Sequence, residues 1–200
     1  MFSEIIKNNI LNTLLVERCE ENSIEAEICS NLTYKDDYLV IKVDNYYNRG
    51  FKVTGFKKTP ASVDCLILVK CNEKGKRKKI RSNIYDMHLI ELKNIKNKQY
   101  FKLENIQEKF NTTIEDFLNI KFKDIFNNFQ LRSFNCYFIS DPHNIKRRYK
   151  GKNITQNKYN QIIKLEGLKV KSLLLIKPLK YRNKFSTIKP RLPNLEINAC

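Results

Sequence analysis

Val63-Asp64-Cys65-Leu66-Ile67-Leu68-Val69 and, after a polar connection, Ile84-Tyr85-Asp86-Met87-His88-Leu89-Ile90-Glu91-Leu92-Lys93 decide how this chain is read. The first stretch is almost continuously apolar, as a strand buried on both faces is. The connection Lys70-Cys-Asn-Glu-Lys-Gly-Lys-Arg-Lys-Lys79 has one glycine at its centre and reads as a hairpin turn. In an antiparallel hairpin the start of the first strand lies beside the end of the second. Asp64 therefore comes beside Glu91, and the basic connection lies at the far end. Residues i and i+2 of a strand share a face, so Glu91 and Lys93 point the same way. His88 and Asp86 have the opposite parity and face away, Asp86 as polar surface.

Two carboxylates and an ammonium converge in this arrangement. Carboxylates are hard oxygen ligands suited to Mg²⁺ or Mn²⁺, with several waters retained. Such a metal lowers the pKa of a bound water and neutralises charge on a phosphate. A lysine ammonium can orient the attacking water or stabilise the transition state. The tripeptide Glu-Leu-Lys says little alone. The combination says more, because placing Glu91 and Lys93 straight after Leu89-Ile90 risks desolvating both, a cost that functional sites tolerate.

Around this hairpin the periodicity predicts a mixed α/β (α+β) domain, one central sheet flanked by helices. Ile6, Ile10 and Leu14, with Leu11 and Leu15 beside them, predict an N-terminal helix capped by Ser3 and ending near the acidic stretch 17–27. Residues 38–43 and 134–139 read as strands, and 103–120 as a helix with a weak point at Asn111-Thr112-Thr113. Residues 143–167 are polar and basic, with a short helix at 155–165, and 168–176 read as a last strand. Two hundred residues suit one domain. Its core spans about residues 1–177, and residues 178–200 form an extended, Pro-containing basic tail.

The net charge is +17. Abundant Lys, Asn and Ile dilute that figure as a clue, but charge is also segregated along the chain. Residues 1–44 hold nine acidic and four basic side chains, whereas 141–191 hold fifteen basic and two acidic ones. A basic half suits a polyphosphate partner. Lys146, Arg147, Arg148 and Lys150, around Tyr149, are candidate contacts to nucleic acid, as are Lys76 and Arg77 in the hairpin connection. No basic amphipathic helix with exposed aromatics favours a membrane surface instead. The N-terminus lacks a signal-peptide pattern, and no apolar run reaches membrane-spanning length. The six cysteines form no CxxC pair. The expectation is thus a cytoplasmic chain with reduced thiols and no disulfide framework.

Val63-Asp64-Cys-Leu-Ile-Leu followed by His88-Leu-Ile-Glu91-Leu-Lys93 resembles the PD-(D/E)xK nuclease superfamily, which includes many restriction enzymes and Holliday-junction resolvases. The resemblance covers about thirty residues at the level of motif and residues 1–140 at the level of element order. It implies a restriction-endonuclease-like fold and Mg²⁺-dependent phosphodiester hydrolysis, with DNA the expected substrate. It also implies that Asp64 and Glu91 are metal ligands, that the Leu92 carbonyl touches the metal, and that Lys93 is the catalytic lysine. The family's N-terminal helix often supplies a further Glu, for which Glu21 is best placed and Glu17 next. Gln107 matches a helical Gln of some relatives. The proline of the motif name is not adjacent to Asp64; the nearest is Pro60. One such centre cuts one strand, so double-strand cleavage implies a homodimer. The rivals are a non-catalytic nucleic-acid-binding protein of the same fold and a basic interaction protein.

Overall fold

The computed structural model describes residues 1–21, 24–49, 59–71, 83–93, 102–141, 154–165, 169–193 and 195–198. At its centre is a six-stranded mixed sheet, in the order β1-β4-β5-β6-β7-β10. Its strands are β1 (Leu15–Val16), β4 (Tyr38–Lys42), β5 (Cys65–Lys70), β6 (Ile84–Lys93), β7 (Gln130–Ser140) and β10 (Ile188–Arg191). The pairs from β1 to β6 are antiparallel, and β6, β7 and β10 run parallel. A smaller sheet, β11-β3-β2, is made from β2 (Cys19–Glu21), β3 (Ile24–Ile28) and β11 (Leu195–Ile197).

Strand parity sorts the side chains into two cores. Leu39, Ile41, Leu66, Leu68, Met87 and Leu89 face a large aromatic core with Phe110, Phe117 and Phe126 of the helical layer. Val40, Ile67, Val69, Ile90 and Leu92 face Cys19, Ile24, Ala26 and Ile197 of the small sheet. Cys65 through Val69 are buried without a break, as the uninterrupted apolar pattern requires. Each large apolar side chain removed from water in this way contributes about 1.5–3 kcal/mol.

The N-terminal helix is divided. α1 (Phe2–Lys7) stops at Asn8, whose backbone is extended, and Asn8 Oδ1 caps α2 (Asn9–Thr13) by accepting from the amides of Ile10 and Leu11. Asparagine competes locally with helix hydrogen bonds and favours such caps. Beyond α2 the chain continues as β1, β2 and β3. In β3, Ile24 and Ala26 are buried while Glu27 is exposed.

The helix expected over 103–120 is continuous through Asn111-Thr112-Thr113. α4 (Leu103–Thr112) passes directly into a π-helical segment, Thr113–Lys121, where the amide of Phe122 bonds to the carbonyl of Phe117 five residues back. The transition falls at Thr113, whose hydroxyl donates to the Lys109 carbonyl at 2.9 Å and accepts the Val63 amide at 3.2 Å. That widened turn fastens the helical layer to the chain just before Asp64. α3 (Val43–Asn48) is held on the same side, since Tyr47 Oη donates to Asp116 Oδ2 of the π segment at 3.0 Å.

Further sequence expectations are overturned. The run 168–176 is a 3₁₀ helix, Lys169–Leu175, not a strand. Val170, Leu173 and Ile176 are buried at intervals of three, and Leu175 between them is exposed. The C-terminal segment is also no loose tail beyond residue 177. It contributes Leu179, Tyr181, Ile188, Leu192 and Ile197 to the buried interior, β10 to the main sheet and β11 to the small one. Between them, β8 (Leu179–Tyr181) and β9 (Lys184–Ser186) form a hairpin. Finally, Cys19 and Cys65 are not reduced thiols. They form a disulfide joining β2 to the start of β5, with Cα atoms 6.0 Å apart. Cys29 and Cys136 are free. The expected helix at 155–165 is present as Gln156–Leu165. No helix among the described residues is long and apolar enough to cross a membrane.

Candidate active site

β5 and β6 pair with Cys65 opposite Ile90, and the same register carried one residue further sets Asp64 opposite Glu91. Asp64 Oδ2 accepts the Leu92 amide at 2.5 Å. Both carboxylates are almost fully buried, with relative exposures of 3% and 1%. They share the sheet face that carries Leu66, Leu68 and Leu89. The central strand expectation is therefore met in register, parity and burial.

Further groups complete the cluster. Lys109 of α4 donates to Glu91 Oε1 at 2.6 Å, while Glu91 Oε2 is buried without a hydrogen-bond partner. Glu21, at the end of β2, hydrogen-bonds to Asp64. It lies on a strand, not on the helix from which it was expected, and the Cys19–Cys65 bond two residues earlier ties that strand to β5. Asp44, in the first turn of α3, adds another partly buried carboxylate, with Oδ1 unpartnered. The Val43 amide bonds to the Asp64 carbonyl at 3.0 Å and so brings Asp44 to the same end of the sheet. Lys93 is half-buried, and among the described residues it makes no ion pair. Its charge acts on Glu91 nonetheless.

Burial dominates the electrostatics. It pushes Asp64 well above the usual carboxylate range, helped by the charge of Glu91 and the bond to Glu21, and opposed by Lys109 and the Leu92 amide. Glu91 is raised by burial, against the pull of Lys109 and Lys93. Asp44 is likewise raised by burial. For Lys109, burial disfavours the charge, but Glu91, Asp64 and Glu21 outweigh it and hold the amine protonated. Two carboxyls such as Asp64 and Glu21 can share a hydrogen bond only if one carries a proton. Lys109 offsets part of the negative charge of this cluster.

The donor set suits a hard divalent cation in one respect and resists it in another. Carboxylates with an unpartnered buried oxygen are what Mg²⁺ or Mn²⁺ binds, and Mg²⁺ commonly takes one or two carboxylates and keeps its waters. Among the described residues, however, no group of three or more His, Cys, Asp or Glu stands ready to hold a metal ion. The Lys109 ion pair occupies one oxygen of Glu91, the more buried of the two carboxylates.

Lys109 and Asp44 escaped the sequence reading. Lys109 falls in the buried phase of its helix, between Ile106 and Thr113, and a basic residue there was the available signal. Gln107, the residue singled out on that helix, is half-buried but belongs to no bond of the cluster. Glu17 is exposed and lines a separate cavity of about 420 Å³ with Arg18, Glu25, Glu27 and Tyr38. Its acidic lining is ill suited to phosphate, and Asp64, Glu91 and Lys93 take no part in it.

His88 faces the opposite side of the sheet, as parity requires. Burial depresses it to about 4, and its ring stacks on Tyr137 at 5.9 Å. Asp86, expected as polar surface, is instead buried and paired bidentately with Arg132. Lys76, Arg77, Lys146, Arg147, Arg148 and Lys150, the candidate nucleic-acid contacts, lie outside the described residues. Comparison with protein-family models, curated proteins and solved structures finds no match to this chain.

Proposed function

We propose that this chain is a metal-dependent endonuclease of the PD-(D/E)xK type, hydrolysing phosphodiester bonds in nucleic acid, with DNA the first substrate to test. The observation that carries the reading is the pairing of Asp64 with Glu91 across β5 and β6, both buried, both raised in pKa, with one Glu91 oxygen unpartnered. Charged groups are buried in this way where chemistry uses them. A restriction-endonuclease-like fold is part of the proposal. It is supported by a sheet whose antiparallel half ends at β6, where the parallel half begins.

In this mechanism Asp64, Glu91 and the Leu92 carbonyl would hold Mg²⁺ or Mn²⁺, and Glu21, hydrogen-bonded to Asp64, would be a further candidate. When bound, the metal supplies Lewis-acid activation of water and charge neutralisation at the phosphate. Lys93, on the face of Glu91, orients the attacking water or stabilises the developing charge. The Leu92 amide holds Asp64 in place. Double-strand cleavage requires two such centres and hence a homodimer. Cytoplasmic action belongs to the same proposal, and the Cys19–Cys65 disulfide, of a kind rare in reducing compartments, argues against it.

The test is cleavage of supercoiled plasmid, branched DNA and single-stranded RNA with Mg²⁺ or with EDTA, with Lys93→Ala alongside. Cleavage that needs metal and is lost in the variant supports the proposal. Equal cleavage by both proteins marks a contaminant and removes the support. One observation favours a second reading: the Lys109–Glu91 pair already balances the acid without metal. A non-catalytic nucleic-acid-binding protein would show salt-dependent binding and no cleavage under any metal.

A further inference from the structure

Lys109 is placed by the fold rather than by chance contact. Its carbonyl takes the Thr113 hydroxyl, and that hydroxyl takes the Val63 amide, so α4 is stitched to the residue before Asp64. From there the side chain reaches Glu91 Oε1 and leaves Oε2 without a partner. Its charge acts on Glu91, Asp64, Glu21 and Asp44 alike. The two ends of the ion pair differ in freedom. Glu91 is fixed on a central strand and its side chain is 1% exposed, whereas that of Lys109 is 27% exposed and ends a flexible four-carbon stem.

We infer that Lys109 is a built-in counter-cation: its ammonium holds the place on Glu91 that a divalent metal takes, and it swings toward solvent when the metal binds. The inference rests on the nuclease reading of the same site and adds how access to it is controlled. A single positive charge on one oxygen stabilises the empty cluster while leaving Glu91 Oε2 unengaged. A doubly charged ion that engages Glu91 together with Asp64 gains more from the same carboxylates and displaces it. Lys109 thus tunes metal affinity downward, so that loading of the centre depends on how much metal is present.

The experiment is calorimetric titration of the full chain with Mn²⁺ alone, for wild type, Lys109→Met and Lys109→Arg. Removing the competing charge should tighten Mn²⁺ binding roughly tenfold in Lys109→Met, while Lys109→Arg stays close to wild type. Unchanged or weaker binding by a folded Lys109→Met, with wild type still binding, overturns this inference and leaves the nuclease reading standing. Absence of Mn²⁺ binding by every form removes both. Should Lys109→Met not fold, wild-type protein decides the matter by nuclear magnetic resonance of the lysine ammonium groups, with Lys109 assigned through Lys109→Arg. Mg²⁺ at saturation should move the Lys109 signal from its ion-paired position to that of a solvated lysine, and an unmoved signal overturns the inference.

Discussion

The Leu92 amide donates to Asp64 Oδ2 at 2.5 Å, so the residue between Glu91 and Lys93 is bonded to the acid that opens the neighbouring strand. That bond and the β5–β6 register set two carboxylates side by side at nearly full burial. Such an arrangement is unfavourable to folding unless something neutralises it.

Substituting Asp64→Asn keeps an oxygen to accept the Leu92 amide and removes a buried carboxyl that is costly to ionise. Its metal-free form should be more stable than wild type by about 1 kcal/mol, as expected where function is maintained against stability. Urea unfolding in EDTA measures this. Metal-dependent cleavage should be lost in the same variant, and a destabilised Asp64→Asn would contradict the account.

Stability should depend on pH with a definite sign. Asp64 and Glu91 are raised above ordinary values of 3.8 and 4.5, so the folded state binds more protons than the unfolded one across that window. Their contribution is fully present below the ordinary values and is lost as pH rises through the folded ones. Metal-free protein should lose stability as pH rises above the ordinary carboxylate range through this pair, less so in Asp64→Asn, and Mg²⁺ should restore it. Metal binding should release protons, read as a buffer-dependent heat in calorimetry.

Thr113→Val removes the acceptor of the buried Val63 amide at nearly constant volume. Leaving that amide unpaired costs about 1–3 kcal/mol. Because Val63 precedes Asp64 and Thr113 anchors Lys109, cleavage should also fall beyond what the fraction unfolded explains. A variant with wild-type rate and reduced melting temperature would show that the anchor is structural only.

The Cys19–Cys65 bond spans a sequence separation of 46 residues. By chain entropy its loss should cost about 4 kcal/mol. Reduction should also loosen β2 and with it Glu21. Comparison of Cys19→Ala/Cys65→Ala with wild type under reducing and non-reducing conditions tests this: the variant should ignore the reductant and the wild type should not.

The antiparallel pairing of β5 with β6 was legible because an uninterrupted apolar run and period-two parity agreed; the turn expected between them lies outside the described residues. The helix over 103–120 was legible from its stripe of Ile106, Phe110, Ile114 and Phe117. Residues 168–176 misled because a short apolar run carries no period that separates strand from 3₁₀ helix. β10 was hidden by Pro190, which a sheet accepts only at an edge, where β10 lies. Glu21 was named for the wrong element, since the acidic residues around it mask the short strand β2. Lys109 and the disulfide depend on contacts between segments far apart in the chain, which no local pattern records. Asp44 was hidden for the same reason: its part in the cluster comes from the pairing of β4 with β5.

The central claim is that Asp64 and Glu91 grip one divalent cation between them. A crystal of the protein soaked in Mn²⁺ and measured at the manganese absorption edge tests it directly. The account predicts a single anomalous peak bonded to both carboxylates, with Lys109 turned away. A well-occupied peak elsewhere, or none while Lys109 stays on Glu91, would contradict it.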